Sequence, residues 1–215
     1  MNSPKRVQFL LEKLDDVVNQ QDSTLSALSH VAERLEIRLV VIGRIAVALH
    51  GYERTTANRD LLATRSDAER LAAELEKSVD WQRQEDKEFC FLHLPTNCPV
   101  ELVVAGELTA MGLISYDFPQ PSELTTTGSL EGFPVVGLND LICLKLVSGR
   151  IRDHSDIMEL CKLHVGSIDF DEVLQRLDPE DEARRLKLNE IRRQAPLETE
   201  AEQYRNWLNR KKPEA

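Results

Sequence analysis

The sequence predicts an α/β (α+β) fold, in which a mixed sheet with flanking helices is followed by a helical C-terminal part. Up to residue 136, short apolar runs typical of buried strands alternate with helical patterns, and beyond Leu138 helical patterns alone recur. Hydrophobic residues make up 41% of the chain and aromatic residues 5%, so we expect a mainly aliphatic core. We therefore expect a core domain with N-terminal helices over residues 1–136, and a helical region over residues 137–215 packed on it.

The predicted core begins with helices and then alternates. Residues 4–19 have an amphipathic helical pattern, and a second such pattern runs from Thr24 to Leu35. The apolar run "RLVVIG" predicts a buried strand that ends at Gly43. The segment "RIAVALHG" predicts a short helix stopped by Gly51, and "NRDLLAT" predicts a second strand.

The rest of the core is predicted from one helix and several short strands. "SDAERLAAELEKSV" is a helical pattern in which Ser66 and Glu69 have the spacing of a capping box. "EFCFLHL" and "PVELVVA" are strand patterns joined by the turn "PTNC". Residues 106–136 are expected to be irregular, with a short strand at "FPVV".

The C-terminal region is predicted to contain four helices. The first three are "NDLICLKLVSG", "DHSDIMELCKLH" and "DEVLQRL", the last of these capped by Asp169. Asp178 and Pro179 have the pattern of an N-cap followed by proline in the first helical position, which predicts the start of a fourth helix. The last 20 residues are charged and are expected to form an exposed helix or a frayed tail.

Net charge, apolar run length and cysteine spacing argue against several classes of protein. A net charge of −10 argues against general nucleic-acid binding, which needs a basic surface. No apolar run reaches the roughly 18 residues of a membrane span, and no signal-peptide pattern is visible, so we expect a cytoplasmic protein with no membrane partner. The four cysteines lack CxxC spacing and have apolar neighbours, which predicts buried thiols.

Two segments could bring carboxylates together. Alternate strand residues face the same way, so the side chains of Asn58 and Asp60 are expected to share one face and that of Arg59 the other. Carboxylates at this spacing, joined by an acid from a neighbouring strand, form the oxygen cradle that Mg²⁺ prefers. Glu101 in "PVELVV" could be that acid, or an edge-strand side chain in solvent; both alternatives remain open.

The turn at Gly43 has its own chemistry. A strand, a glycine and a helix N-terminus in succession present unpaired backbone N–H groups to an anion. His50 lies near this turn, where it could line the pocket or end the helix with a structural hydrogen bond. The combination of this turn with an acidic strand shortly afterwards predicts a phosphate-handling site.

The stretch "VVIGRIAVALHGYERTTANRDLL" resembles the first motif of the nucleotidyltransferase superfamily, the DNA polymerase beta-like fold, and in particular its toxin-related AbiEii-like branch. That motif has Gly-Gly or Gly-Ser, a helix, and Arg-x-Thr-x-Asp-x-Asp; Gly43, Arg54, Thr56 and Asp60 match it. "DLICLKLVSGRIRDHSDIMEL" resembles the later motifs of the branch, where a helical Lys precedes Arg-x-(Lys/Arg)-Asp-x-x-Asp. The matching residues there are Lys145, Arg150, Arg152, Asp153 and Asp156.

The resemblance implies transfer of a nucleotidyl group from an NTP to a hydroxyl on RNA, protein or a small molecule, with bound Mg²⁺. The implied catalytic residues are Asp60, Glu101, Lys145 and Asp153. The implied metal ligands are Asn58, Asp60 and Glu101, and the implied nucleotide- or phosphate-binding residues are Gly43, Arg44, Arg54, Thr56 and Arg152. The acids at 153 and 156 could instead be a favourable helix start. The toxin-related branch also leaves room for a cognate protein partner.

This sequence departs from the motif at the site itself. Position 58 is Asn, which offers a carbonyl oxygen but no charge, so the hold on a divalent cation is expected to be weaker. Arg44 replaces a small residue and would either clamp a phosphate or fill its place. Arg59 replaces an apolar residue and must reach water or an acid, while Glu101 stands where Asp is usual.

Three functions therefore remain in competition. The first is an Mg²⁺-dependent nucleotidyltransferase whose activity is reduced by the Asn-x-Asp pair. The second is a catalytically inactive module that binds a nucleotide or phosphate directly. The third is a scaffold that uses the same fold to bind a protein partner.

Overall fold

The computed structural model describes residues 23–52, 58–85, 87–106 and 119–210. The predicted helix over residues 4–19 and the predicted binding residues Arg54 and Thr56 lie outside these ranges. The chain divides into two compact units, Met1–Leu141 and Ile142–Ala215.

The first unit is built on a seven-stranded mixed sheet. Its strands are β1 (Val40–Val41), β2 (Arg59–Ala63), β3 (Trp81–Arg83), β4 (Cys90–His93), β5 (Cys98–Val104), β6 (Thr126–Leu130) and β7 (Phe133–Val136). They lie in the order β3-β4-β5-β2-β1-β7-β6. β2 pairs parallel with β5 and β1 pairs parallel with β7, whereas the other neighbours are antiparallel. The sheet is therefore mixed, as the sequence predicts.

The helices of the described core are α1 (Ser23–Arg34), α2 (Gly43–Leu49) and α3 (Arg65–Leu75), and α4 (Leu138–Ser148) spans the division between the units. α1 is amphipathic as predicted, with Leu25 and Leu28 fully buried. The predicted strand "RLVVIG" shortens to β1, because Gly43 already begins α2.

The predicted capping box of α3 is wrong. Thr64, rather than Ser66, is the N-cap, and its side chain accepts a hydrogen bond from the Asp67 amide at 3.1 Å. The reason is that β2 ends at Ala63, so the chain turns into the helix at the next residue.

The sheet places its apolar residues by alternation. Along β5, Val100 and Leu102 are buried, while Pro99, Glu101 and Val103, which alternate with them, are half-buried. β2 becomes fully buried from Leu61 onward, so its polar residues lie at its N-terminal end. The adjacent strands β2 and β5 therefore both carry buried apolar residues, and each also carries an acid that is only half-buried.

The described part of the second unit is helical. It contains the end of α4, then α5 (Ile151–Leu163), α6 (Phe170–Arg176) and α7 (Glu182–Arg210). Asp169 caps α6 as predicted, because its side chain accepts hydrogen bonds from the amides of Asp171 and Glu172. Arg184 donates to the carbonyls of Leu146 and Val147 at 3.1 Å each, which satisfies two of the orphan acceptors at the end of α4.

The predicted helix start at Asp178 and Pro179 is wrong. The Asp178 carboxylate accepts from the Glu180 amide at 2.9 Å in a local turn. α7 begins at Glu182, where Asp181 accepts from the Arg184 amide at 3.2 Å. The side chain of Asp181 therefore caps the helix, three residues later than predicted.

All four cysteines are free and buried, which confirms their prediction as buried thiols. Burial raises the pKa of the Cys161 thiol to about 12, so this thiol is an apolar packing group rather than a nucleophile. No helix among the described residues is both long and apolar enough to cross a membrane.

Candidate functional site

Gly43 and Asp60 are in direct contact. Gly43 has φ +65°, and a Cβ atom added there would lie 2.8 Å from both Cβ and Cγ of Asp60 and closer still to its Oδ2. The Ile42 amide donates to the Asp60 carbonyl at 3.0 Å, which holds the two segments together. Glycine is required at position 43 both for its left-handed backbone and for the space that the carboxylate occupies.

Asp60 and Glu101 are neighbours across the parallel pair of β2 and β5. Their Cα atoms are register partners, so the two side chains project from the same face of the sheet. β5 lies between β4 and β2, and Glu101 is therefore on an inner strand. The alternative in which Glu101 is an edge-strand side chain in solvent is wrong.

Lys87 brings a positive charge to this acid pair. Its Nζ donates a hydrogen bond to Glu101 Oε2, with the Lys87 side chain 44% exposed and that of Glu101 27% exposed. Burial lowers the pKa of Lys87, but the hydrogen bond to Glu101 and the charges of Glu101, the Cys90 thiolate and Asp60 outweigh that effect and raise it above its ordinary value. The ammonium thus responds to both carboxylates.

Magnesium does not fit the described residues as a resident cofactor. Among them, no group of three His, Cys, Asp or Glu side chains could hold a metal ion. The acid pair has Asn58 rather than a third carboxylate nearby in sequence, and Glu101 is already bonded to an ammonium. A divalent cation would have to displace Lys87 and bind with one negative charge fewer than the motif provides.

The other predicted residues of this part flank the acid pair. Asn58 is half-buried and lies just before β2 begins at Arg59, rather than inside the strand as predicted. Arg59 is half-buried, so it does not incur the cost of a fully buried guanidinium. Arg44, in the first turn of α2, is half-buried, and its side chain makes no hydrogen bond or ion pair with any other described residue.

His50 ends α2 structurally. It is the C-cap residue, and its Nε2 lies 2.8 Å from the carbonyl oxygen of Val136 at the end of β7. Of the two predictions for this residue, the structural hydrogen bond is the one observed.

Within the second unit, the predicted residues Lys145, Asp153 and Asp156 form an ionic cluster. Lys145 Nζ donates to Asp153 Oδ1 at 2.6 Å and to Asp156 Oδ2 at 2.8 Å, and Ser148 Oγ donates to Asp153 Oδ2 at 2.5 Å. All three charged side chains are at least nine-tenths buried. Burial raises the pKa of Asp153, but the hydrogen bond and charge of Lys145 and the bond from Ser148 outweigh it and lower the pKa below its ordinary range. Arg152 is exposed beside this cluster.

This arrangement weakens the alternative in which the two acids only favour the start of a helix. Asp156 lies in the second turn of α5 and contacts Lys145 of α4, which is a tertiary ion pair rather than an effect of the helix dipole.

Two polar residues with side-chain partners in the structure were not singled out from the sequence, Lys87 and Asp140. Lys87 precedes β4 in a charged segment, "EDKEF", where nothing distinguishes it from its neighbours. Asp140 is 2% exposed and accepts from the amide and hydroxyl of Thr125 at 2.7 and 2.5 Å. Its position in the first turn of a helix was a usable signal, because acids are common there.

Comparison with known proteins establishes the fold. No protein-family model matches the chain, and no curated protein matches it. Among solved structures it is similar to an antigenic nucleotidyltransferase-like protein from Paracoccidioides brasiliensis, with a TM-score of 0.53 and 17% identity over 83% of this chain and 89% of that one. It also aligns with the antibiotic-resistance factor ANT(2'')-Ia, at a TM-score of 0.46 and 14% identity over 85% of this chain and 99% of that one.

The first of these similarities confirms the predicted fold class: the chain has a nucleotidyltransferase-like fold with a mixed sheet and flanking helices. An identity this low shows a shared fold and no shared activity, because one fold hosts many functions.

Proposed function

We propose that this chain is a nucleotidyltransferase-fold protein, related to the AbiEii-like branch, that binds an NTP or another phosphate-bearing ligand beside Gly43. Nucleotidyl transfer to an acceptor is reduced or lost in it. The single observation that carries the proposal is the convergence of the Gly43 turn with Asp60 and Glu101 on adjacent strands.

The convergence supports a ligand site because the glycine turn and the acids come from distant parts of the sequence. Gly43 lies at the start of α2, Asp60 on β2 and Glu101 on β5, yet one side chain touches the turn and is in register with the other acid. Two carboxylates held side by side repel each other, and such clustering of like charges is typical of sites that bind a ligand or cation.

The cations of the same part support binding of an anion without metal. Arg44 follows Gly43 directly and has no partner among the described residues, so its guanidinium is available for a phosphate. Lys87 partly neutralises the acid pair, which lowers the repulsion that a triphosphate would meet there. Both features favour direct binding over metal-mediated binding.

Binding is tested by isothermal titration of the full chain with ATP, GTP, CTP and UTP, each with and without Mg²⁺. We expect at least one nucleotide to bind, with an affinity that changes little when Mg²⁺ is removed. Arg44→Ala should weaken it about tenfold or more, since a hydrogen bond to a charged group is worth about 1.5 to 3 kcal/mol. Arg38→Ala is the matched control, because Arg38 is an exposed arginine of the same unit that also has no partner among the described residues.

Equal loss in the two arginine variants, or no binding of any nucleotide, would contradict the proposal. Transfer is tested separately, by labelling of RNA and protein from α-radiolabelled NTPs. We expect little or no label from the unmodified chain. Asn58→Asp combined with Arg44→Gly restores the residues of the motif and should raise the labelling.

A further inference from the structure

Asp60 and Glu101 carry two negative charges on adjacent strands, and the Lys87 ammonium donates a hydrogen bond to Glu101 and interacts with Asp60 through its charge. We propose that Lys87 is the resident cation of this acid pair: it occupies the place of a divalent metal ion and excludes that ion from the site. The phosphate-bearing ligand of the site is taken from the proposed function. The cation is tested with a metal ion alone, so the two can fail independently.

The position of Lys87 is fixed by the strands. Cys90, three residues after it, is the register partner of Glu101 on the antiparallel pair of β4 and β5. The Leu102 amide donates to the Phe89 carbonyl at 2.9 Å, so the backbone just before β4 is bonded to β5 beside the acid. The pairing of β4 with β5 therefore places the segment that carries Lys87 beside Glu101.

The flanking side chains tie this segment down. Arg65 Nη1 bonds to Glu88 Oε1 at 2.7 Å, and its guanidinium lies 5.2 Å from the ring centroid of Phe89. The residue pair directly after Lys87 is therefore anchored to the start of α3. Exposed ion pairs contribute little to stability because ordering the two side chains costs entropy. An anchored backbone around Lys87 reduces the number of arrangements that have to be ordered.

The charge balance suits an ammonium better than a divalent ion. Because position 58 is an amide, the acid pair offers two negative charges in place of the three of the motif. An ammonium brings one charge and three N–H donors, which match carboxylate acceptors at hydrogen-bond distance. Asn58 and Lys87 thus change the site in the same direction, toward fewer negative charges and a cation that is part of the chain.

The experiment is a titration of the full chain with Mn²⁺ alone. Binding is measured as the loss of the free Mn²⁺ signal in electron paramagnetic resonance. The wild type is compared with Lys87→Ala, Lys87→Met, Glu101→Gln and the double variant Lys87→Ala with Glu101→Gln. Lys77→Ala is the matched control, because Lys77 is also an exposed lysine bonded to a glutamate, Glu74, at 2.8 Å. Circular dichroism and urea unfolding establish that each variant is folded.

We expect Lys87→Ala and Lys87→Met to bind one Mn²⁺ at least about tenfold more tightly than the wild type, since a positive charge next to the ligand atoms is removed. The gain should disappear in the double variant, and Lys77→Ala should behave like the wild type. Two outcomes overturn the proposal: tight Mn²⁺ binding by the wild type that Glu101→Gln abolishes, or folded Lys87 variants that bind Mn²⁺ no better than the wild type.

A nucleotide arm separates this proposal from the proposed function. ATP binding by the wild type should not depend on Mg²⁺, whereas in Lys87→Ala the addition of Mg²⁺ should strengthen it. If no variant binds ATP but the Lys87 variants gain Mn²⁺ binding, the resident cation stands and the proposed ligand falls. An equal Mg²⁺ dependence of ATP binding in wild type and Lys87→Ala would count against Lys87 as the cation.

Discussion

Two clusters in this protein have the same composition, one lysine and two carboxylates, and opposite surroundings. In the second unit, Lys145, Asp153 and Asp156 have side chains 6, 10 and 1% exposed. In the first unit, the side chains of Lys87 and Glu101 are 44 and 27% exposed, and Asp60 is half-buried against a glycine. The charges are alike, so the difference in exposure decides what each cluster can do.

When a lysine–carboxylate cluster is buried, its ion pairs affect the free energy of unfolding strongly. Charges removed from water must be paired where they lie, and the removal of one partner leaves the others without compensation. A half-exposed cluster keeps water as an alternative partner, so its contacts can be exchanged for those of a ligand at little cost. We therefore expect the buried cluster to contribute mainly to stability, and the exposed cluster to be the one whose contacts a ligand can exchange.

The largest expected effect is that of Lys145→Met on the buried cluster. It leaves two carboxylates in the interior without a cation and should lower the free energy of unfolding by about 3 to 5 kcal/mol. The measurement is urea unfolding at neutral pH. The control adds Asp153→Asn and Asp156→Asn to the same chain and should recover much of the loss. A triple variant no more stable than the single one would show that the cluster is not held by charge.

Gly43→Ala should have the next largest effect and tests how tightly the exposed cluster is built. The new Cβ would have to displace the Asp60 carboxylate, and the left-handed backbone at φ +65° adds strain of about 1 to 2 kcal/mol. Gly128→Ala is the matched control, because Gly128 has φ +61° with nothing within 4 Å of the added Cβ. Urea unfolding of both variants isolates the contact with Asp60. Equal losses would mean that the carboxylate moves aside freely.

A smaller effect, visible as a pH dependence, should distinguish the buried cluster. The pKa of Asp153 is lowered in the folded protein, so its stabilisation is complete above the ordinary value of 3.8 and is lost as the pH falls through the folded value. We expect the difference in unfolding free energy between wild type and Asp153→Asn to be constant above about pH 5 and to shrink below pH 3.8. A constant difference down to the acid-unfolding limit would contradict the assignment.

The smallest expected effect is that of Lys87→Ala on stability. An exposed ion pair contributes about 0 to 1 kcal/mol, so the free energy of unfolding should change by no more than that. Lys77→Ala, at another exposed lysine–glutamate pair, should give the same result. A loss as large as that of Lys145→Met would remove the contrast between the two clusters.

Much of the fold follows from the sequence, because most of its strands and helices bury a regular apolar pattern. β2, β4, β5 and β7 and the helices from α1 to α6 lie where periodicity predicts them. β6 does not, because four of its five residues are exposed and no pattern marks it. β3 was missed for the same reason, since Trp81 is its one buried residue. Pairing with a neighbouring strand, rather than burial, makes these two segments strands.

The acid pair was predictable and its counterion was not. Asp60 stands out as an acid near the start of an apolar strand and Glu101 as the lone acid within another, and a motif resemblance joins them to Gly43. Lys87 belongs to a charged loop, and its contact with Glu101 depends on the register of β4 against β5, which sequence alone does not supply. The sequence predicts Lys145 and Asp153 as site residues, but their burial depends on how α4 packs on α5, which sequence alone does not supply.

The parallel pairing of β2 with β5 has a consequence for how this protein can vary. The closeness of residues 60 and 101 depends on strand register and not on the long stretch of chain between them. Insertions in that stretch can leave the two acids side by side. A slip of β5 by a single residue would instead turn Glu101 toward the interior and bring Val100 or Leu102 to the polar side. Related sequences should therefore differ in the lengths of the connecting loops, whereas insertions and deletions within β2 or β5 should be nearly absent.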